Sequence, residues 1–258
     1  MAKLIADVEA DPAVPLFWGK NVAGMQAREE LPPHLIERAR SIWLRSMEDA
    51  IRNAKALQHL AEDEGETIGT HKQIVNRLLE PYSHITVVIS ATEWQNFREL
   101  RDHPDAEPHI QILAQEIGKC LDDESGIQTL NPGEWHLPFV TMEEVAQELM
   151  KPYLDDSDTA GAHIPDGVIL EDAIKLSVAR CASTSYKTVD GFDMTLDRAV
   201  ALHDKLVASR PIHASPCEHV AQADHGTDYG LGTTWRQPSQ HGNFIGFRQY
   251  RHQLQVAA

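Results

Sequence analysis

Gln73-Ile-Val-Asn-Arg-Leu-Leu-Glu-Pro-Tyr82, Ile85-Thr-Val-Val-Ile89 and Thr92-Glu-Trp-Gln-Asn-Phe-Arg-Glu-Leu-Arg101 are the stretch on which the reading of this chain turns. The first segment has the spacing of an amphipathic helix, with Thr70 as its N-cap and Pro81 closing it. The second is β-branched throughout and predicts a strand. The third predicts another helix that ends near Asp102-His-Pro104. Arg77 then stands near the end of one helix, and Asn96 and Arg101 stand on the next, with only the strand between them. Two guanidiniums so placed can converge on one anion, and their planar forks suit a phosphate or an imide oxygen better than an ammonium would. The competing reading is an ordinary helix surface, where exposed arginines contribute little.

Outward from this stretch, helices dominate. From Pro33 to about Glu62, Leu35, Ile36, Ala39, Ile42, Trp43, Met47, Ala50, Ile51, Ala54, Leu57 and Leu60 recur at three- and four-residue steps, which predicts one long amphipathic helix with a Met and Trp stripe in the core. The acidic turn Glu62-Asp-Glu-Gly-Glu66 ends it. Residues 1–12 predict a short helix stopped by Pro12, and Asp105 to Asp122 a helix with Pro108 in its first turn. Thr141-Met-Glu-Glu144 has capping-box spacing and opens a helix ending near Met150. Further helices are predicted around Ile174 to Ala179 and from Thr195 to Ser209. The segments Glu124–Phe139, Asp155–Ala162 and the Gly-, Thr-, Gln- and His-rich region after Val220 read as loops, the last one ahead of a final Phe244–Leu254 element.

The chain has 258 residues, 42% of them hydrophobic, enough to bury a sizeable core. Its 39 acidic and 23 basic residues give a net charge of −16, which argues against a general nucleic-acid or anionic-membrane surface. Any phosphate must be met by a few arginines in a pocket. Cys120, Cys181 and Cys217 form no Cys-x-x-Cys pair, so neither a disulfide framework nor a zinc ribbon is indicated and a reducing cytoplasm is expected. No apolar run approaches the ~20 residues that a membrane span needs. The 14 histidines include no His-Glu-x-x-His and no tight Cys/His cluster, and no metal site is expected.

The stretch quoted first, with Ala106-Glu-Pro108, Gly133-Glu-Trp-His-Leu-Pro138, Ser177-Val-Ala-Arg-Cys181, Ser185-Tyr186, His213-x-Ser-Pro-x-Glu-His219 and Asn243-Phe-x-Gly-x-x-Gln-Tyr-Arg251, resembles the flavin-dependent thymidylate synthases, most closely their phage-type branch. In bacterial members the Ser-Pro-x-Glu-His block lies near the N-terminus. Its position here implies the circular permutation of the phage type. One departure concerns the family's basic signature, Arg-His-Arg followed by spaced Ser, Asn, Ser and Arg. It is absent from this sequence, whose first residues resemble the segment that follows it.

The resemblance implies an α/β (α+β) fold: a single compact domain over residues 1–258, missing an N-terminal segment, with helices packed on a small sheet. It implies reductive methylation of dUMP to dTMP by a cytoplasmic homotetramer, with FAD, NADPH and 5,10-methylenetetrahydrofolate. Gln73 and Arg77 match nucleotide-binding positions, and Arg101 matches the catalytic arginine that meets the uracil ring. A fixed guanidinium there would stabilise charge on the imide while C5 takes up a one-carbon unit, with no cysteine nucleophile. Asn96, Ser185, His213, Ser215 and Glu218 match flavin contacts. Ser90 and Thr92 stand where many bacterial members have Asn and Arg, and Asp105 and Glu107 replace a His and a Gln, so none of these four is carried over. Cys217 occupies a usual phenylalanine position and reads as a buried small hydrophobe. Two alternatives stay open: a dUMP hydroxymethylase serving modified phage DNA, and a catalytically incomplete relative or subunit.

Overall fold

The computed structural model describes residues 2–23, 27, 29–60, 69–154, 164–184, 194–209, 211–230 and 232–256. The chain divides into two compact units, one of Met1–Ile85 with Gln95–Glu124, the other of Thr86–Trp94 with Ser125–Ala258.

The first unit is helical. α1 (Ala2–Ala10) and α2 (Pro33–Gln58) pack with the short helix α3 (Lys72–Val75) and the 3-10 turns that follow it at Asn76–Leu78 and Glu80–Tyr82. Pro33 starts α2, where its missing N–H costs no hydrogen bond. The C-terminal half of the α2 stripe predicted from periodicity is the core stripe: Met47, Ile51 and Ala54 are buried with Ile5, Val8, Val75, Leu79 and Tyr82, and Trp43, Ala50 and Leu57 flank them, whereas Leu35, Ile42 and Leu60 are exposed and the helix stops at Gln58, short of the expected Glu62. Burying Leu79 alone contributes about 2 kcal/mol. Trp43 fixes its neighbourhood by donating its indole N–H to the Ala13 carbonyl at 2.9 Å and by edge contacts with Trp18 and Tyr82. α4 (Gln95–Arg101) and α5 (Pro108–Leu121) complete the unit. They are joined by a two-pronged pair in which both Arg98 amino groups donate to the Asp122 carboxylate at 2.7 Å. Glu107 caps α5, accepting from the backbone N–H groups of His109 at 3.0 Å and Ile110 at 3.1 Å.

The second unit mixes helices with small antiparallel sheets. α6 (Met142–Leu154), α7 (Asp166–Ala182) and α8 (Leu196–Ala208) enclose Val145, Ala173, Leu176, Ala179 and Ala199. The other side of α7 buries Ile174 and Val178 against Cys217 and Val220. α7 is therefore the centre of the unit, buried from Ala173 to Cys181 save for Lys175 and Arg180. Among the described residues, strands of two or three residues form at β1 (Trp135–His136), β2 (Ala221–Ala223), β3 (Gly226–Asp228), β4 (Thr233–Trp235) and β5 (Phe247–Gln249). One antiparallel sheet has the order β1-β2-β5, with Trp135 opposite Gln222 and Ala221 opposite Gln249. β3 and β4 form a separate hairpin. α9 (Tyr250–Val256) leaves directly from β5.

Several expectations need correction. Ile85–Ile89 forms no strand among the described residues: Ile85, Val87 and Ile89 are 80, 67 and 60% exposed, and β-branched composition without a neighbouring strand makes no ladder. The strands lie instead in Trp135-His136 and within 221–235, both expected to be loops, and at Phe247–Gln249, within the final element expected over Phe244–Leu254. The helix carrying Gln73 starts from His71 rather than Thr70 and lasts one α turn before tightening to 3-10 geometry at Arg77. α6 runs past Met150 to Leu154. The Thr141 capping box is half made: the Glu144 N–H donates to the Thr141 hydroxyl at 3.1 Å, while the Glu144 carboxylate turns to Arg180. Glu62–Glu66 and Asp155–Ala162 lie outside the described residues. No helix among the described residues is long and apolar enough to cross a membrane.

Candidate functional site

Gln73, Arg77, Asn96 and Arg101 all lie in the first unit and are all exposed. Arg77 is held by its own chain, donating to Glu80 three residues on at 2.9 Å. Arg101 has no ion-pair partner among the described residues. Asn96 and Arg101 are five positions apart on α4, about 140° around the helix, so they do not share a face. The convergence of the two guanidiniums on one anion, expected from spacing, has no contact that expresses it.

His213, Ser215 and Glu218 lie in the second unit, and Ser185 lies outside the described residues. Ser215 opens the 3-10 turn Ser215–Glu218 and is exposed. His213 is exposed too, its backbone N–H donating to the Leu206 carbonyl and the Ser209 hydroxyl, both at 3.1 Å. Glu218 is half-buried, and its carboxylate is engaged by Arg251.

Around Glu218 the structure assembles a polar cluster from four quoted sequence blocks. The buried Gln249 amide donates to the Glu218 carbonyl at 3.0 Å and to the Asn243 side-chain oxygen at 2.8 Å. The Asn243 side-chain N–H donates to the Ser90 carbonyl at 2.7 Å, and the Thr92 hydroxyl accepts from the Ile245 N–H at 2.8 Å. The Ser90 hydroxyl lies 3.0 Å from Nδ1 of His219. His136, on β1, stands close enough to His219 for that ring to disfavour charge on it, and its ring lies 5.7 Å from that of Phe244. Burial pushes both histidines below the usual imidazole range, and the proximity of His219 adds to the shift of His136. Both rings are therefore neutral at pH 7, and His219 presents Nε2 without a protein partner among the described residues. Such a cluster offers neutral donors and acceptors, with one compensated ion pair at its side.

Two further features come from residues to which no role was given. Asp224, buried beside the β3–β4 hairpin, accepts from the N–H groups of His225 at 2.9 Å and Gln237 at 2.7 Å, and from Nε2 of buried His241 at 2.9 Å. Because His241 Nδ1 accepts from the Gly246 N–H at 3.1 Å, the ring proton belongs on Nε2. Burial alone would raise the Asp224 carboxyl, but these hydrogen bonds outweigh it and hold the group below the usual carboxylate range. The signal was present in Asp224-His-Gly and His241-Gly, yet nothing in the spacing shows that they meet. Arg180, the second feature, donates to the Phe139 carbonyl and to both carboxylate oxygens of Glu144, and it lines a cleft of about 450 Å³ with Lys151, Leu176 and Met194.

Cys217 is fully buried, and burial pushes its thiol up to about 11 although Arg251 pulls the other way. That suits the packing role read from sequence and not a nucleophile. Among the described residues no group of three or more His, Cys, Asp or Glu is placed to hold a metal ion. Comparison with known proteins returns no matching family, no matching curated protein and no matching solved structure.

Proposed function

We propose that this chain is an enzyme of the flavin-dependent thymidylate synthase type, which methylates dUMP to dTMP as a cytoplasmic homotetramer. The observation that supports the reading best is the Thr92–Asn243–Gln249–Glu218 cluster, in which three blocks quoted for the resemblance are joined by hydrogen bonds although up to 153 residues separate them.

In this reading FAD carries the reducing equivalents from NADPH, and 5,10-methylenetetrahydrofolate supplies the one-carbon unit. Ser215, exposed at its turn, is available to a ligand oxygen. Glu218 is committed to Arg251 and therefore acts by holding that guanidinium rather than by direct contact. Arg101, with no ion-pair partner among the described residues, supplies the positive charge at the uracil imide. Arg77 must exchange Glu80 for the nucleotide phosphate, a small cost for an exposed pair.

The test is turnover. Purified protein supplied with FAD, NADPH, methylenetetrahydrofolate and dUMP is expected to yield dTMP by mass spectrometry. A product heavier than dTMP by one oxygen would replace the methylase with the hydroxymethylase. No product, with neither FAD nor dUMP bound, would refute the reading.

A further inference from the structure

Phe139 is the one non-glycine residue among those described with a positive φ, 64°, and the residue is 54% exposed. Both features are unfavourable. A side chain with Cβ costs roughly 1–2 kcal/mol in the left-handed region, and an exposed benzene ring forgoes the gain of burial. Glycine or asparagine would satisfy the backbone without either cost.

The surroundings hold the residue in place. Leu137 and Val140, on either side of the tip, pack against the apolar cluster of α6, α7 and α8, and the Val140 N–H closes the turn on the Leu137 carbonyl at 3.3 Å. At the tip, the Pro138 carbonyl accepts from the buried Ser177 hydroxyl at 2.8 Å and the Phe139 carbonyl accepts from Arg180. Arg180 is itself fixed by Glu144 and forms a wall of the 450 Å³ cleft. Both tip carbonyls are thus clamped from α7, and what the clamps present is a flat ring directed at solvent. Any exposed leucine would serve an aliphatic neighbour. Only a flat face held in one orientation favours offset stacking on another ring.

We propose that Phe139 is a stacking platform for a planar heteroaromatic ring, that of the flavin or of the pyrimidine nucleotide, an assignment that rests on the function proposed above. The test compares wild type, Phe139→Gly, Phe139→Leu and Phe139→Trp, titrated separately with FAD by flavin fluorescence and with dUMP by calorimetry. The Gly and Leu variants should bind one of the two ligands roughly 5- to 100-fold more weakly, the range expected for one lost ring stack, while the Trp variant keeps wild-type affinity. The Gly variant should melt at or above the wild-type temperature, because its φ is native to glycine, so the loss is read in a folded protein. Unchanged affinity for both ligands in the Gly and Leu variants would overturn the platform and leave the proposed function standing. Failure of the wild type to bind either ligand would overturn the function, and the platform with it. A lowered melting temperature in the Gly variant, with both ligands bound normally by the Leu variant, would make Phe139 a packing residue.

Discussion

Removing the Asp224 carboxylate should weaken the second unit more than any change at the arginines. In the native protein this buried group accepts from His225 N–H, Gln237 N–H and His241, so it ties the two ends of the β3–β4 hairpin to the turn at 241–246. Asp224→Ala leaves three donors without their acceptor, that of His241 buried and the backbone N–H groups of His225 and Gln237 half-buried. Leaving one buried and two half-buried donors unsatisfied costs about 2–4 kcal/mol in all, roughly a 10 °C fall in melting temperature for a protein of this size. Asp224→Asn keeps one acceptor oxygen and should lose about 1–2 kcal/mol. Urea titration followed by tryptophan fluorescence is a suitable assay, since Trp235 lies edge-on to His241 at 5.7 Å. The sign with pH is fixed. A carboxyl held below its unfolded value of about 3.9 stabilises fully above that value and loses its contribution as pH falls through the lower folded one, so wild type and variant should converge in strong acid. A loss below about 1 kcal/mol for Asp224→Ala at pH 7 would refute the reasoning.

Arg101→Ala should leave the melting temperature nearly unchanged, as an exposed arginine with no ion-pair partner among the described residues contributes little, yet lower turnover by ~10²-fold, the usual cost of one lost charge stabiliser. Steady-state kinetics beside a thermal melt reads both. Arg77→Ala should instead raise the dUMP dissociation constant with little change in kcat, because a phosphate contact is made equally in ground and transition states. His136 and His219, held neutral by burial, favour the folded state above the ordinary imidazole pKa of about 6.5 and cease to do so as pH falls below it. Melting curves from pH 7.5 down to 5 should therefore show a smaller drop for His219→Gln than for wild type, and equal drops would contradict this.

Helices long enough to repeat their pattern were legible in the sequence, and short strands were not. α2 shows Trp43, Met47, Ala50, Ile51, Ala54 and Leu57 at helical spacing, and each meets the core. The strands β2 to β5 have three residues each, too few for alternation to register, and they exist because partners far along the chain complete their ladders. Ile85–Ile89 misled for the converse reason: it has strand composition and no partner among the described residues. Part of the candidate site could be read. Glu218, His219, Asn243, Gln249 and Arg251 all stand in blocks quoted for the resemblance, but that His219 reaches Ser90 across 129 residues is a property of the fold alone. Asp224, His241 and Phe139 escaped notice because burial, tautomer and a positive φ leave no mark on composition.

The most direct measurement is calorimetric titration of dUMP into the FAD-supplemented full chain. Saturable one-site binding that weakens in Arg77→Ala is predicted. Absence of any dUMP heat from folded wild-type protein that has taken up FAD would contradict the claim that this chain acts on that nucleotide.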